Sequence, residues 1–300
     1  MPVQKNLPSR IAKWGFRVPS RAVRRYVRMW FSLHLFRWRY PDLFQYAKAR
    51  AEAAADFEPG EFVISFMLPS RARPEWLREA LENIRDTATH PELVEIIVLI
   101  DDDDESLLAI QDKLPAYCAP CSMQLIVGSR GKGYIDMHRF CNEMAAVAKG
   151  DYLWFFSDDA RFANDKWFEV AAANRDRLSV LCPPTNPVTL ARDGRAGNIF
   201  PAVHRGLFEL TGNYGENNHM DTWWQDLSRW VPGGPIEVVA KGVMIEHLRE
   251  LADDETAEIS RTSFKKTAPI YYSKGTHSLL FRDMWAVAFY MRHRGRTLKS

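Results

Sequence analysis

Residues 150–162 read Gly-Asp-Tyr-Leu-Trp-Phe-Phe-Ser-Asp-Asp-Ala-Arg-Phe, and this stretch constrains the fold more than any other. Tyr152 to Phe156 is an unbroken apolar run, short and aromatic. Such a run suits a strand buried on both faces, the condition of a parallel sheet. It stops at once in Ser157, Asp158 and Asp159. Open α/β sheets bind ligands outside the carboxyl ends of their strands. Two adjacent carboxylates at that edge repel each other unless a positive charge lies beside them. A divalent cation carrying a diphosphate supplies one, because Mg2+ and Mn2+ take oxygen ligands. A polar turn with Asp as a helix cap is the plainer reading of the same residues.

The chain before this stretch repeats the pattern. Phe62 to Leu68 is strand-like and runs into Pro69-Ser70-Arg71-Ala72-Arg73-Pro74, with Pro74 placed for the first turn of a helix. Trp76, Leu77, Ala80, Leu81 and Ile84 recur at helical spacing, and Glu95 to Ile100 reads as a second strand ending in Asp101 to Asp104. Strand, helix and strand in that order form a right-handed βαβ unit with parallel pairing. Asp101 is therefore expected at the ligand edge, while Asp103 or Asp104 could cap a helix starting near Ser106. Met123 to Val127 is a third strand, followed by Gly128-Ser129-Arg130-Gly131-Lys132-Gly133. Arg130, Lys132 and the backbone N–H groups of this loop suit phosphate oxygens. The spacing is neither that of a Walker motif nor that of a dinucleotide fingerprint, and a glycine-rich surface turn is the alternative. A helix from Tyr134 to Lys149 leads into the opening stretch.

Charge is unevenly spread. Residues 1–50 hold twelve Lys or Arg and one acid, Asp42, so they carry +11 and leave −9 for the rest of a chain whose net charge is +2. A helix over residues 20–40 places Val23, Val27, Trp30, Phe31 and His34 on one side. Arg and Trp together on such a helix suit an anionic membrane surface. Packing on the domain with solvated arginines is an equal reading, and a nucleic-acid stripe is disfavoured. Cys118, Cys121, Cys141 and Cys182 lack zinc spacing and read as reduced thiols, which points to the cytoplasm. No apolar run reaches spanning length, and no secretory h-region is evident, although the arginine-rich, acid-poor start leaves a transit peptide open. The chain divides into a basic amphipathic leader (1–58), an α/β domain (59–275) and a C-terminal helix with a basic tail (276–300).

Leu-Pro-Ser-Arg-Ala-Arg-Pro-Glu-Trp-Leu (68–77), Glu-Ile-Ile-Val-Leu-Ile-Asp-Asp (95–102), Gly131 to Asn142 and Ser-Asp-Asp (157–159), in that order, resemble the nucleotide-binding half of a GT-A glycosyltransferase, with glycosyltransferase family two as the nearest group. The resemblance implies a Rossmann-like, mostly parallel central sheet flanked by helices. It also implies transfer of a sugar from a nucleotide-sugar donor, a UDP-sugar first among them, to a hydroxyl acceptor on a glycan or a lipid-linked chain. Carried over residue by residue, Ser70, Arg71 and Arg73 border the nucleotide. Asp101 bonds the base, Asp158 faces the ribose or the metal, and Asp159 coordinates Mn2+ or Mg2+. The family usually has Asp-x-Asp where this chain has Ser157-Asp158-Asp159, so the division of work between the two acids stays open.

The second half then supplies the acceptor side. Trp167 to Asn174 reads as helix, Ser179 to Cys182 as strand, and residues 192–195 as an exposed tip. Inverting transfer needs a carboxylate base. The resemblance puts it where Asp221 and Asp226 lie, with Asp221 preferred as the helix-start residue and N-cap. Ile236 to Ile245 reads as one strand ending in Glu246-His247, and the resemblance makes His247 a third metal ligand. A sugar-1-phosphate nucleotidyltransferase, which carries glycines right after its first strand, fits less well because residues 68–74 contain none. A non-catalytic membrane or nucleic-acid-binding protein is the rival from outside enzymology.

Overall fold

The structure, a computed structural model, describes residues 21–186, 199–248, 262, 266–271 and 273–295. The tip at residues 192–195, the acidic run 253–255 and the last tail residues from 296 onward lie outside the described residues.

The leader folds as two helices, α1 (Arg21–Arg39) and α2 (Pro41–Ala53). Pro41 separates them, since proline starts a helix more readily than it continues one. Four strands then build one edge of the main sheet. They are β1 (Phe62–Ser70), β2 (Val94–Asp101), β3 (Ser122–Gly128) and β4 (Gly150–Phe155), and they pair in parallel in the order β3-β2-β1-β4. Their crossovers carry α3 (Pro74–Thr87), the short α4 (Glu105–Leu108) and α5 (Leu114–Cys118), and α6 (Met137–Val147). Every residue of β2 is buried, as a strand covered on both faces requires. Gly150 is needed where β4 starts, because a side chain there would run into the backbone of Ile64 and Ser65 on β1.

Beyond β4 the strands shorten and the directions mix. After β5 (Ala160–Phe162) and α7 (Lys166–Ala172) come β6 (Val180–Cys182), β7 (Thr185–Asn186) and β8 (Ala202–His204). Then follow α8 (Arg205–Thr211), α9 (Met220–Trp230), β9 (Glu237–Val239) and β10 (Ile245–His247). Among the described residues the main sheet has seven strands, and β8 enters it antiparallel to both β4 and β6. A second sheet of three strands, β5-β10-β7, stands at its carboxyl edge. The expected strand over 236–245 is in fact two. Gly242, at φ +88°, helps turn the chain between β9, which joins the main sheet beside β6, and β10, which joins the small one. The helix expected from Tyr134 begins as a 3-10 turn and becomes α-helical at Met137.

Helices cover both faces of the main sheet. On one side α3, α4, α5 and α7 pack through Leu77, Leu107, Leu114 and Trp167. On the other, α6, α8 and α9 share one buried cluster with the leader and with α10 (Lys274–Arg294). Met29, Leu33 and Phe36 of α1 and Leu280, Met284 and Val287 of α10 all belong to that cluster. Phe36 meets Phe281 at 6.0 Å between ring centroids, and Trp285 donates its indole N–H to the Leu33 carbonyl at 3.1 Å. The leader and the C-terminal helix therefore complete the core on the α9 side. No described helix is long and apolar enough to cross a membrane.

Candidate active site

Two carboxylate clusters lie along the carboxyl edge, joined by the turn after β1. In the first, Arg71 bridges the end of β2. Its Nη1 donates to Asp101 Oδ2 at 2.8 Å and to Asp103 Oδ1 at 2.5 Å. Asp101 is buried, and burial raises its pKa although Arg71 pulls the other way. Asp104 caps α4, accepting from Leu107 N at 3.2 Å, and its second oxygen accepts the Ala72 N–H at 2.6 Å. That bond holds Ala72 at φ +56°, a conformation costing about 1 kcal/mol for a residue with a Cβ. The bend lets Ser70 and Arg73 face one cluster while Arg71 faces the other.

The second cluster is the opening stretch itself. Asp158 Oδ2 accepts from Ser70 Oγ at 2.7 Å, and Asp158 Oδ1 accepts from Arg73 Nη1 at 3.1 Å. The same guanidinium nitrogen lies 3.7 Å from Asp159 Oδ2. Asp159 Oδ1 takes a hydrogen bond from Ser157 and stands 3.5 Å from His247 Nε2. Both carboxylates are buried, yet they diverge. Burial and the neighbouring Asp159 push Asp158 up to about 6, against Arg73 and Ser70. Asp159 falls below the usual range because His247, Ser157 and Arg73 together outweigh its burial. Asp159 therefore stays ionised to lower pH than Asp158.

His247 reaches this place through the small sheet. Antiparallel pairing of β10 with β5 sets His247 opposite Ala160, and Leu248 N donates to the Asp159 carbonyl at 2.8 Å. Arg161 clamps the loop from outside, donating to the Asp158 and Ala160 carbonyls at 2.7 Å each and to the Trp76 carbonyl at 3.0 Å. Sequence reasoning missed Arg161, although its signal, a cation two residues after an acidic pair, was in view.

The glycine-rich loop contributes unequally. Gly131 and Gly133 adopt positive φ, and the loop folds back so that Lys132 N donates to Asp136 at 2.8 Å. Arg130 reaches the first cluster, 3.8 Å from Asp103, whereas Lys132 is exposed on the loop.

Helix α9 packs on the sheet face that α6 and α8 also cover. His219, not Asp221, is its N-cap, and Asp221 occupies the first turn. Asp221 remains partly accessible although protein surrounds it, and burial pushes it up to about 6, only partly offset by hydrogen bonds with Thr222. It lies within electrostatic reach of Tyr214, whose hydroxyl is 3.4 Å from the Leu153 carbonyl of β4. Asp226 is a turn further on, buried, and accepts from Tyr271 at 3.1 Å. The structure thus brings together Ser70, Arg73, Asp158, Asp159 and His247, sets Arg71, Asp101 and Arg130 beside them, and leaves Asp226 in the contact with the segment before α10.

The donor set fits a divalent ion. An Asp oxygen and an imidazole nitrogen 3.5 Å apart suit neighbouring positions around one ion, which also accepts substrate oxygens and water. Asp158 is already engaged by Ser70 and Arg73. No group of three His, Cys, Asp or Glu side chains gathers around a point among the described residues.

A family model described as "Glycosyl transferase family 2" matches residues 65–223, more than half of the chain. Among solved structures, the mannosyltransferase PcManGT from Pyrobaculum calidifontis in complex with GDP-Man and Mn2+ aligns over 91% of this chain and 97% of its own, at 11% identity and TM-score 0.48. S. aureus TarS 1-349 aligns over 79% and 93% at 11% identity and TM-score 0.47. Its complex with UDP-GlcNAc aligns over 77% and 72% at 13% identity and TM-score 0.47. No curated protein matches the chain by sequence. A mostly parallel sheet with helices on both faces and an acidic carboxyl edge defines a GT-A glycosyltransferase. The chain belongs to glycosyl transferase family 2.

Proposed function

We propose that this enzyme moves a sugar from a nucleotide-sugar donor, a UDP-sugar first among candidates, to a hydroxyl acceptor, with inversion at the anomeric carbon and with help from Mn2+ or Mg2+. The observation that carries the reading is the cluster of Asp159, His247 and Arg73 at the carboxyl edge of a family 2 domain. Arg71 and Asp101 hold the base, Ser70 and Asp158 the ribose, and Arg130 and Lys132 the phosphates. Asp159 and His247 would hold the divalent ion, which when bound neutralises charge developing on the diphosphate. Arg73 adds a fixed positive charge beside it.

Asp221 is the base. The acceptor oxygen attacks the anomeric carbon, its proton passes to the Asp221 carboxylate, and the bond to the diphosphate oxygen breaks with its electron pair leaving on the nucleotide. A carboxyl titrating at about 6 is mostly ionised at neutral pH, yet basic enough to take that proton. Asp226, held by Tyr271, is the alternative. The basic leader adds a location, peripheral on an anionic membrane surface facing the cytoplasm, with an acceptor on a glycan or a lipid-linked chain.

Thermal unfolding with UDP-glucose, UDP-GlcNAc and GDP-mannose, each with and without Mn2+, tests the donor and metal together. A donor that stabilises the protein only with Mn2+ supports the reading, since a ligand binding the native state raises its stability by mass action. Stabilisation by nucleoside triphosphates in place of every nucleotide sugar would overturn it.

A further inference from the structure

The outer face of α1 carries a second apolar stripe that packing does not explain. The inner stripe, Met29, Leu33 and Phe36, is buried against the core. On the opposite side, Phe31, Leu35 and Trp38 recur at i, i+4 and i+7, with exposures of 39%, 41% and 74%. Trp30, 45% exposed, lies beside them, stacked on His34 at 4.0 Å. A helix lying on a soluble domain needs one apolar face, and contiguous exposed apolar groups rimmed by polar ones mark an interaction surface.

The rim identifies the partner. Exposed Arg37 and Arg39 flank Trp38, with Arg37 over the Trp38 ring at 5.1 Å. The sequence of α1 holds six arginines and no acid, and no acid occurs before Asp42. A second copy of the same face would set arginine against arginine, so self-association is disfavoured. A nucleic-acid groove would meet the charge but leave Phe31 and Leu35 without apolar company. An anionic bilayer satisfies both, taking aromatic and aliphatic side chains at the headgroup boundary and arginines at the phosphates.

We infer that α1 is a two-faced interfacial helix whose inner stripe locks it to α10 and whose outer stripe, Phe31, Leu35 and Trp38, inserts into an anionic lipid surface. The inference deepens the membrane part of the proposed function. It also sets the bilayer on the side of the molecule where α10 packs against α9, the helix that carries Asp221.

The test is flotation of the full chain with phosphatidylcholine vesicles, with and without 30% phosphatidylglycerol (about a third anionic lipid, enough for a marked surface potential). Wild type should float only with the anionic vesicles, and less as salt rises. The Phe31→Ser, Leu35→Ser, Trp38→Ser triple variant should lose about tenfold or more in apparent affinity. Its thermal unfolding should match wild type, because these residues lie outside the core. Trp38→Ala alone serves if the triple variant unfolds, with a smaller loss. Unchanged flotation of the variants overturns the inference. So does binding to duplex DNA without binding to vesicles, or self-association in sedimentation that the triple variant abolishes. The readout is lipid binding alone, so transfer activity can fail or persist independently of it.

Discussion

The carboxyl edge and helix α9 are both acidic, but they surround their carboxylates differently. At the edge, Asp101, Asp103, Asp158 and Asp159 are met by Arg71 and Arg73 within 3.7 Å or less. On α9, no arginine or lysine meets Asp221 among the described residues; Thr222 and its own backbone give it hydrogen bonds, and burial drives its pKa up. Under the proposed function, the difference follows the chemistry each side would do. A leaving diphosphate needs charge that stays in place, which Asp159, held below the usual range beside His247 and Arg73, provides. A base needs charge that can change, which a carboxyl titrating at about 6 provides.

The sharpest way to break the contrast is Asp221→Asn. Removing a general base costs about 10²- to 10⁴-fold in rate. Turnover should fall by that order while donor binding in the thermal-shift assay is retained. Asp226→Asn is the paired control. It should leave turnover within several-fold and lower stability by about 1 kcal/mol, because a neutral amide oxygen accepts the Tyr271 bond more weakly than a carboxylate. If Asp226→Asn alone abolished transfer, the roles would be reversed.

Next in size is Asp159→Asn. It should reduce transfer by about 100-fold, the scale of losing one electrostatic stabiliser. Unlike Asp221→Asn, it should also erase the Mn2+-dependent part of donor stabilisation. Equal Mn2+ dependence in variant and wild type would contradict the assignment of Asp159 and His247.

The pH profile sharpens the comparison further. With Asp221 titrating at about 6, kcat/KM should fall about tenfold per unit below that pH, as the carboxylate takes a proton, and level off above about 7. A flat profile from pH 5 to 8 would remove Asp221 as the base.

A further effect is on stability. A carboxyl whose folded pKa is raised from 3.8 to about 6 favours the folded state below the unfolded value and loses that contribution as pH rises through 6. At pH 7.5 the ionised Asp221 is therefore a burden, and Asp221→Asn should raise stability by up to about 3 kcal/mol, less so at pH 4. Urea titrations at the two pH values measure it. A variant stabilised more at pH 4 than at pH 7.5 would show that the carboxyl is not held in an unfavourable site.

Much of the donor half was legible in the sequence. Phe62 to Leu68, Glu95 to Ile100 and Tyr152 to Phe156 are continuous apolar runs, and each ends in the polar residues that now line the edge. Burial on both faces leaves no alternation to misread, and the βαβ order fixes direction. The second half was harder. Its strands are three residues long or shorter, and one apolar run, 236–245, serves two sheets. Local periodicity has no means of announcing that split.

The sequence by itself determined the parallel sheet, the acidic carboxyl edge and the leader's charge, because each is written in neighbouring residues. Only the tertiary structure decided that Arg73 rests on Asp158 and Asp159, 85 or more positions away in the chain. The same holds for His247, brought to Asp159 by the register of two three-residue strands, and for Asp226, which belongs to Tyr271. It also gave α1 its two faces, since α10 claims one stripe of that helix and leaves Phe31, Leu35 and Trp38 outside. Such pairings depend on strand register and helix packing across the whole chain, and residue spacing carries no record of them.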